Sequence, residues 1–257
     1  MPYLEARHRG ATGVLFCTGP TLEHYIAGRG GAGRGGAGRG GDHRHRQRYG
    51  HRAFDGLRKR VVTFGVNSIV LVSALKMDYV FVQDRGRPHG DTGYLSNRAA
   101  MNAYVPGQHK FFGHFPGKRS FGLNGQHAKA ANASRYQASN ALSGCDRTGV
   151  PLVADVGNYA FGGSCSTAFS ALQFALYTGV EDLFLVGCDV HGGYSASAAA
   201  ADVSAAKVPE HGRRIRDGWV RARDFVARHY PCVSVTVVRP VGLRGVGFRE
   251  LEDDPDY

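Results

Sequence analysis

Long apolar runs are missing from this sequence. No stretch approaches the roughly 20 apolar residues that a bilayer span requires. Met1 to Gly10 carries Arg7 and Arg9 with no apolar segment behind them, so neither a membrane span nor a secretory signal is expected. A cytoplasmic protein is the resulting expectation. Paired cysteine motifs are also missing. The five cysteines are Cys17, Cys145, Cys165, Cys188 and Cys232, an odd number with no C-x-x-C spacing. Cys17, Cys188 and Cys232 stand in or beside apolar runs, which reads as buried free thiols rather than disulfides or a metal site. Two common nucleotide signatures are absent as well. Neither a G-x-x-x-x-G-K-[ST] loop nor a G-x-G-x-x-G turn directly closing the first apolar run occurs, which argues against ordinary kinases and nicotinamide dehydrogenases.

What is present begins with charge. The net charge is +11, which by itself invites a nucleic-acid reading. Its location matters more than its size. Gly28 to Arg60 holds ten Lys/Arg against two Asp, a net of +8, and leaves +3 of the +11 for the rest of the chain. Within it, Gly28 to Gly41 reads GRGGA-GRGGA-GRGG, followed by a His- and Arg-rich stretch to Arg52. Glycine has high backbone entropy and no side chain to bury. Residues 28–55 are therefore expected to be a disordered insert in a surface loop. Such a segment resembles the RGG type that makes weak nucleic-acid contacts, which would involve residues 28–60. The plainer explanation is expansion of a coding repeat, since Tyr49 and Phe54 are its only aromatics.

Around the insert, with 42% hydrophobic and 11% aromatic residues, the chain has enough apolar surface for a core. Gly13 to Cys17 is a short apolar run closed by Thr18-Gly19-Pro20, with Thr21 a plausible cap for a following helix. Arg60 to Phe64 and Tyr79 to Val82 read as further strands, ending at Asn67 and Asp84. A helix is expected over Thr167 to Tyr177, a strand from Asp182 toward Asp189, a helix over Gly212 to His229 and a strand over Cys232 to Val238. Strands apolar on both faces, alternating with helices, predict one α/β domain: a Rossmann-like, doubly wound, mostly parallel sheet with helices on both faces. Residues 85–158 are rich in Gly, His, Asn and aromatics with little periodicity. They read as irregular packing or as a lid or acceptor-side insertion.

Ligands of such sheets lie beyond the carboxyl ends of the strands. Thr18, Gly19, Pro20 and Thr21, then Asn67, then Asp84, then Asp189 with His191, all fall there. Gly162, Gly163 and Ser164 precede a helix, where free amides favour a phosphate. Asp189 could equally cap a neighbouring element. His211 is the proton-transfer candidate, because a neutral imidazole can deprotonate a hydroxyl near pH 7.

Three blocks carry a resemblance: Cys17 to Leu22, the strand ending in Asn67, and GGSCSTAFSALQFALYTGVEDLFLVGCD from Gly162 to Asp189. Together they resemble the 6-hydroxymethylpterin diphosphokinase-like (MptE-like) family and the related bacterial family 42 type sialyltransferases. The resemblance spans roughly 1–25, 60–85 and 160–245. It implies a Rossmann-like nucleotide-binding domain and, on the sialyltransferase side, metal-free transfer from a CMP-sugar. It implies a histidine base after the Gly-x-Asp strand, a place that His211 fills. It also implies tyrosines that steady the leaving phosphate; His191 stands at the first such position and Tyr194 lies nearby, out of register. Thr18 replaces the first motif's asparagine.

The first expectation is therefore a glycosyltransferase-like transferase that takes a nucleotide-sugar donor to a hydroxyl acceptor, with no cofactor. The first alternative is ATP-dependent diphosphate transfer to a hydroxymethylpterin, with Mg²⁺ on Asp84 and Asp189. The second is a non-enzymatic RNA-associated protein acting through the insert.

Overall fold

The computed structural model describes residues 4–27, 60–72, 74–82, 105–114, 133–138, 150–163, 166–190 and 208–251. The strands are β1 (Thr12–Phe16), β2 (Val61–Val66), β3 (Tyr79–Val82), β4 (His109–His114), β5 (Ala133–Gln137), β6 (Asp182–Val186), β7 (Ser234–Val238) and β8 (Arg249–Leu251). The helices are α1 (Thr21–Ala27), α2 (Ala168–Tyr177) and α3 (Val208–His229), and a 3-10 turn covers Asn67–Leu71. The eight strands form one sheet in the order β5-β4-β3-β2-β1-β6-β7-β8. Every neighbouring pair is parallel. The α/β Rossmann-like architecture expected from the strand and helix signals is the one observed.

Side chains of a strand alternate between faces, and here both faces are buried. Leu15 and Cys17 point into one core with Phe64, Phe81 and Leu185, while Val14 and Phe16 join Ile69, Val80 and Val186 in the other. Helices α2 and α3 contribute to the first core, and α1 with the 3-10 turn contributes to the second.

Helix α2 is buried at all ten positions. Its sequence AFSALQFALY offers no charged face to water, so the helix is stable only inside protein. Phe174 is its anchor, with ring centroids 4.8 Å from Phe111, 5.1 Å from Tyr79 and 5.3 Å from Phe81. Helix α3 is amphipathic. Trp219, Ala222, Phe225 and Val226 are buried on one face, with Ile215 packed beside them, and arginines populate the rest.

The middle of the chain departs from expectation. Residues 109–114 and 133–137 are not a lid but the strands β4 and β5, which extend the sheet past β3. Phe111 and Phe112 face opposite cores, so the segment shows no hydrophobic alternation. Lys110 lies fully buried between strand neighbours, and burial pushes its amine down to about 8. A buried lysine beside two histidines conceals a strand from composition. The short edge strand β8 was not expected either. The insert at 28–55 lies outside the described residues.

Candidate functional site at the carboxyl rim

Chain order runs outward from β1 in both directions: β2 to β5 on one side, β6 to β8 on the other. The carboxyl ends of β1 and β6 therefore form the reversal point, where a crevice opens in such sheets. The turns leaving these strands are tied together. The Cys17 amide donates to the Val186 carbonyl and the Gly19 amide to the Gly187 carbonyl, both at 2.8 Å. The Asp189 carboxylate accepts the Thr21 amide at 2.7 Å and the Thr21 hydroxyl at 2.8 Å.

Thr21 is therefore not its own cap. Its hydroxyl donates away from the helix, and Asp189, 168 residues later, supplies the acceptor for the first turn of α1. The contact leaves no room at position 19, where a β-carbon would stand 2.7 Å from the Gly187 carbonyl oxygen and against the Asp189 side chain. Gly187 itself adopts φ +65, a left-handed conformation that favours glycine. Behind these turns the Cys188 thiol donates to the Cys17 sulfur at 2.7 Å, and burial pushes the Cys188 thiol's pKa up. Both remain free thiols, as expected, whereas Cys232 is exposed rather than buried.

Asn67 follows β2, beside β1, with φ +47, a left-handed conformation that asparagine tolerates better than most residues. Its side-chain amide donates to the Thr167 hydroxyl at 3.0 Å, joining the end of β2 to the start of α2. Thr167 makes no capping bond through that hydroxyl; the Ser166 hydroxyl accepts the Ala168 amide instead, at 3.2 Å.

Gly162 and Gly163 lie at the same end of α2, where a β-carbon on Gly163 would meet Phe169 at 3.1 Å. Their amides are already engaged. The Gly162 amide donates to the Gln173 side-chain carbonyl, and the Gly163 amide donates to the Val150 carbonyl. With the Gly19 and Thr21 amides also satisfied, the expected cradle of free main-chain donors does not exist at these four residues. The turns are held by these hydrogen bonds, and any unengaged donors at this rim belong to side chains or to other amides.

Sequence reasoning missed Gln173. It is fully buried in α2, accepts the Val153 and Gly162 amides, and donates to the Gly162 and Phe169 carbonyls. A fully satisfied buried amide of this kind fixes the glycine segment against the helix. The signal was available: Gln173 is the one amide in an otherwise apolar, small-residue helix.

His211 is the fourth residue of α3. Because β6 and β7 are parallel, α3 starts above the carboxyl rim and descends to the amino edge. Trp219 packs on Phe169 in the first turn of α2, with centroids 4.9 Å apart. The backbone of His211, eight residues earlier, lies about 12 Å further along the axis toward the carboxyl side, and its side chain lies outside the described residues. Ser164, His191, Tyr194 and Asp84 lie outside the described residues. Among the described residues, no three His, Cys, Asp or Glu side chains gather as a ligand set, and no helix is long and apolar enough to cross a membrane.

No family model and no curated protein matches the chain. Its fold is similar to that in the structure of MAf glycosyltransferase from Magnetospirillum magneticum AMB-1, with a TM-score of 0.50 and 11% identity. The likeness covers 100% of this chain and 38% of that one, so the chain spans well under half of that protein's length. At this identity, the likeness is one of fold.

Proposed function

We propose that this chain is a nucleotide-dependent, glycosyltransferase-like enzyme that moves a sugar from a nucleotide sugar to a hydroxyl acceptor. The observation that carries the reading is the joining of β2 to α2 by Asn67 and Thr167, next to the closed β1–β6 reversal point. In sheets of this kind a nucleotide lies beyond the carboxyl ends of the strands, at the point where the chain order reverses. The fold it shares with a glycosyltransferase adds support. The sequence resemblance to MptE-like proteins and family 42 type sialyltransferases narrows the donor to a CMP-sugar as the first one to test.

In this reading the turn Thr18–Thr21 and the segment Gly162–Ser164 wall the donor site, and Thr18 and Asn67 supply polar contacts. His211 takes the proton of the acceptor hydroxyl. The acceptor oxygen forms its bond to the anomeric carbon as the bond from that carbon to the phosphate oxygen breaks, and the electron pair leaves with the nucleotide. His191 or Tyr194 donates a hydrogen bond to the departing phosphate. Asp189 holds the first wall in place.

Thermal-shift measurements with CMP, CMP-sialic acid, UDP-sugars and ATP with Mg²⁺ test the reading. Stabilisation by a nucleotide sugar supports it. Stabilisation by ATP and Mg²⁺ alone replaces it with diphosphate transfer, and stabilisation by none favours an RNA-associated protein.

A further inference from the structure

A polar pocket of about 300 Å³ lies at the amino edge of the sheet, opposite the carboxyl rim. Arg7, His8, Arg60, Asp78, Gln108 and His109 line it. The topology explains the gathering. Arg60 enters β2, Asp78 enters β3, Gln108 enters β4, and the segment with Arg7 and His8 runs beside them before β1.

Two buried polar atoms of this wall have no partner: His8 Nδ1 and Gln108 Oε1. The residues themselves are only 3% and 9% exposed. Unpaired buried polar atoms are costly, and two of them belong to residues that line this one pocket. His8 is held in place by its other ring nitrogen, 2.9 Å from the Tyr79 hydroxyl. Gln108 directs its amide nitrogen to the Met77 carbonyl at 3.4 Å, which leaves the carbonyl oxygen seeking a donor. Asp78 receives the Thr63 amide and hydroxyl on one carboxylate oxygen. At the mouth, Arg7 and Arg60 are exposed, and among the described residues no carboxylate pairs with either. Burial and the two arginines push His8 down to about 4, so its imidazole is neutral near pH 7 and offers one acceptor or one donor at Nδ1.

The chemistry required of a ligand follows. It must donate hydrogen bonds to the Gln108 carbonyl, and it must carry negative charge toward two guanidinium groups. We propose that this pocket binds a small anionic polyol, hydroxyl-bearing with a phosphate or carboxylate, at a site separate from the carboxyl rim. The volume is at the lower end of small-molecule pockets and suits a single sugar unit.

Isothermal titration of the full chain tests this with glucose 6-phosphate, gluconate, glucose and inorganic phosphate. Saturable binding of glucose 6-phosphate or gluconate is expected, tighter than that of glucose or inorganic phosphate by about ten-fold or more. Whichever of the two anions binds tighter identifies the charged group. Arg60→Ala and Arg7→Ala, both at exposed positions, should each weaken that binding by about five- to ten-fold. Gln108→Leu should lower the preference over inorganic phosphate. His211→Ala, at the other end of the molecule, should leave the binding unchanged, which separates this pocket from the rim. No saturable binding of either anion overturns the proposal, as does binding that survives both arginine substitutions.

Discussion

Asp189 caps helix α1 across 168 residues of chain, receiving the Thr21 amide at 2.7 Å and the Thr21 hydroxyl at 2.8 Å. This pair clamps the loop after β6 onto the loop after β1, and it sets the shape of the rim where the chain order reverses.

Removing the carboxylate should loosen that clamp. Asp189→Ala strands the Thr21 amide and is expected to cost about 1–2 kcal/mol, in the range of a lost helix cap. Asp189→Asn keeps an acceptor and should cost about half as much. Urea unfolding of the three chains measures both. Equal stability of Asp189→Ala and the parent chain would mean that the cap is not formed.

The pH dependence of stability should carry the mark of His8. Its ordinary value is 6.5, and burial, with Arg60 and Arg7 nearby, lowers it to about 4 in the folded chain. Above pH 6.5 the ring is neutral in both states. As pH falls from 6.5 to 4, the unfolded chain takes up a proton that the folded chain refuses, so stability falls across this window and not above it. A lowering of that size corresponds to a loss of roughly 3 kcal/mol across the window. His109, also lowered by burial, slopes the same way. Subtracting the profile of a His8→Gln chain isolates the His8 part; an unchanged slope in that variant would contradict it.

Much of this molecule was legible from its letters. Strands β1, β2, β3, β6 and β7 are apolar runs with turn residues at their ends, and α3 shows its stripe at Ile215, Trp219, Ala222 and Val226. Strands β4 and β5 were not legible. Lys110 is buried where composition says it should be exposed, and Phe111 and Phe112 serve two cores at once. At the rim, the residues flanking β1, β2 and β6 could be placed from the sequence. Their hydrogen bonds could not. That the Gly162 and Gly163 amides are taken depends on Gln173 and Val150, and no local pattern announces a contact made in three dimensions. The pocket at the amino edge was equally hidden, because it is assembled from four short segments that share no motif.

The basic insert separates from the rim by deletion. If the rim binds the donor, a chain lacking residues 28–55 should keep nucleotide-sugar binding within about two-fold. Any RNA binding by the intact chain should weaken steeply with salt and disappear in the deletion. Loss of nucleotide-sugar binding on deletion would place the insert in the donor site.

The most direct measurement of the central claim is acceptor-dependent release of the nucleotide from a nucleotide sugar, followed for the parent chain and for His211→Ala alongside donor binding. The parent should release nucleotide. His211→Ala should bind the donor as before, with turnover reduced by about 100-fold or more, as befits loss of a general base. Undiminished turnover in His211→Ala, or a parent chain that binds no nucleotide sugar, would contradict the account.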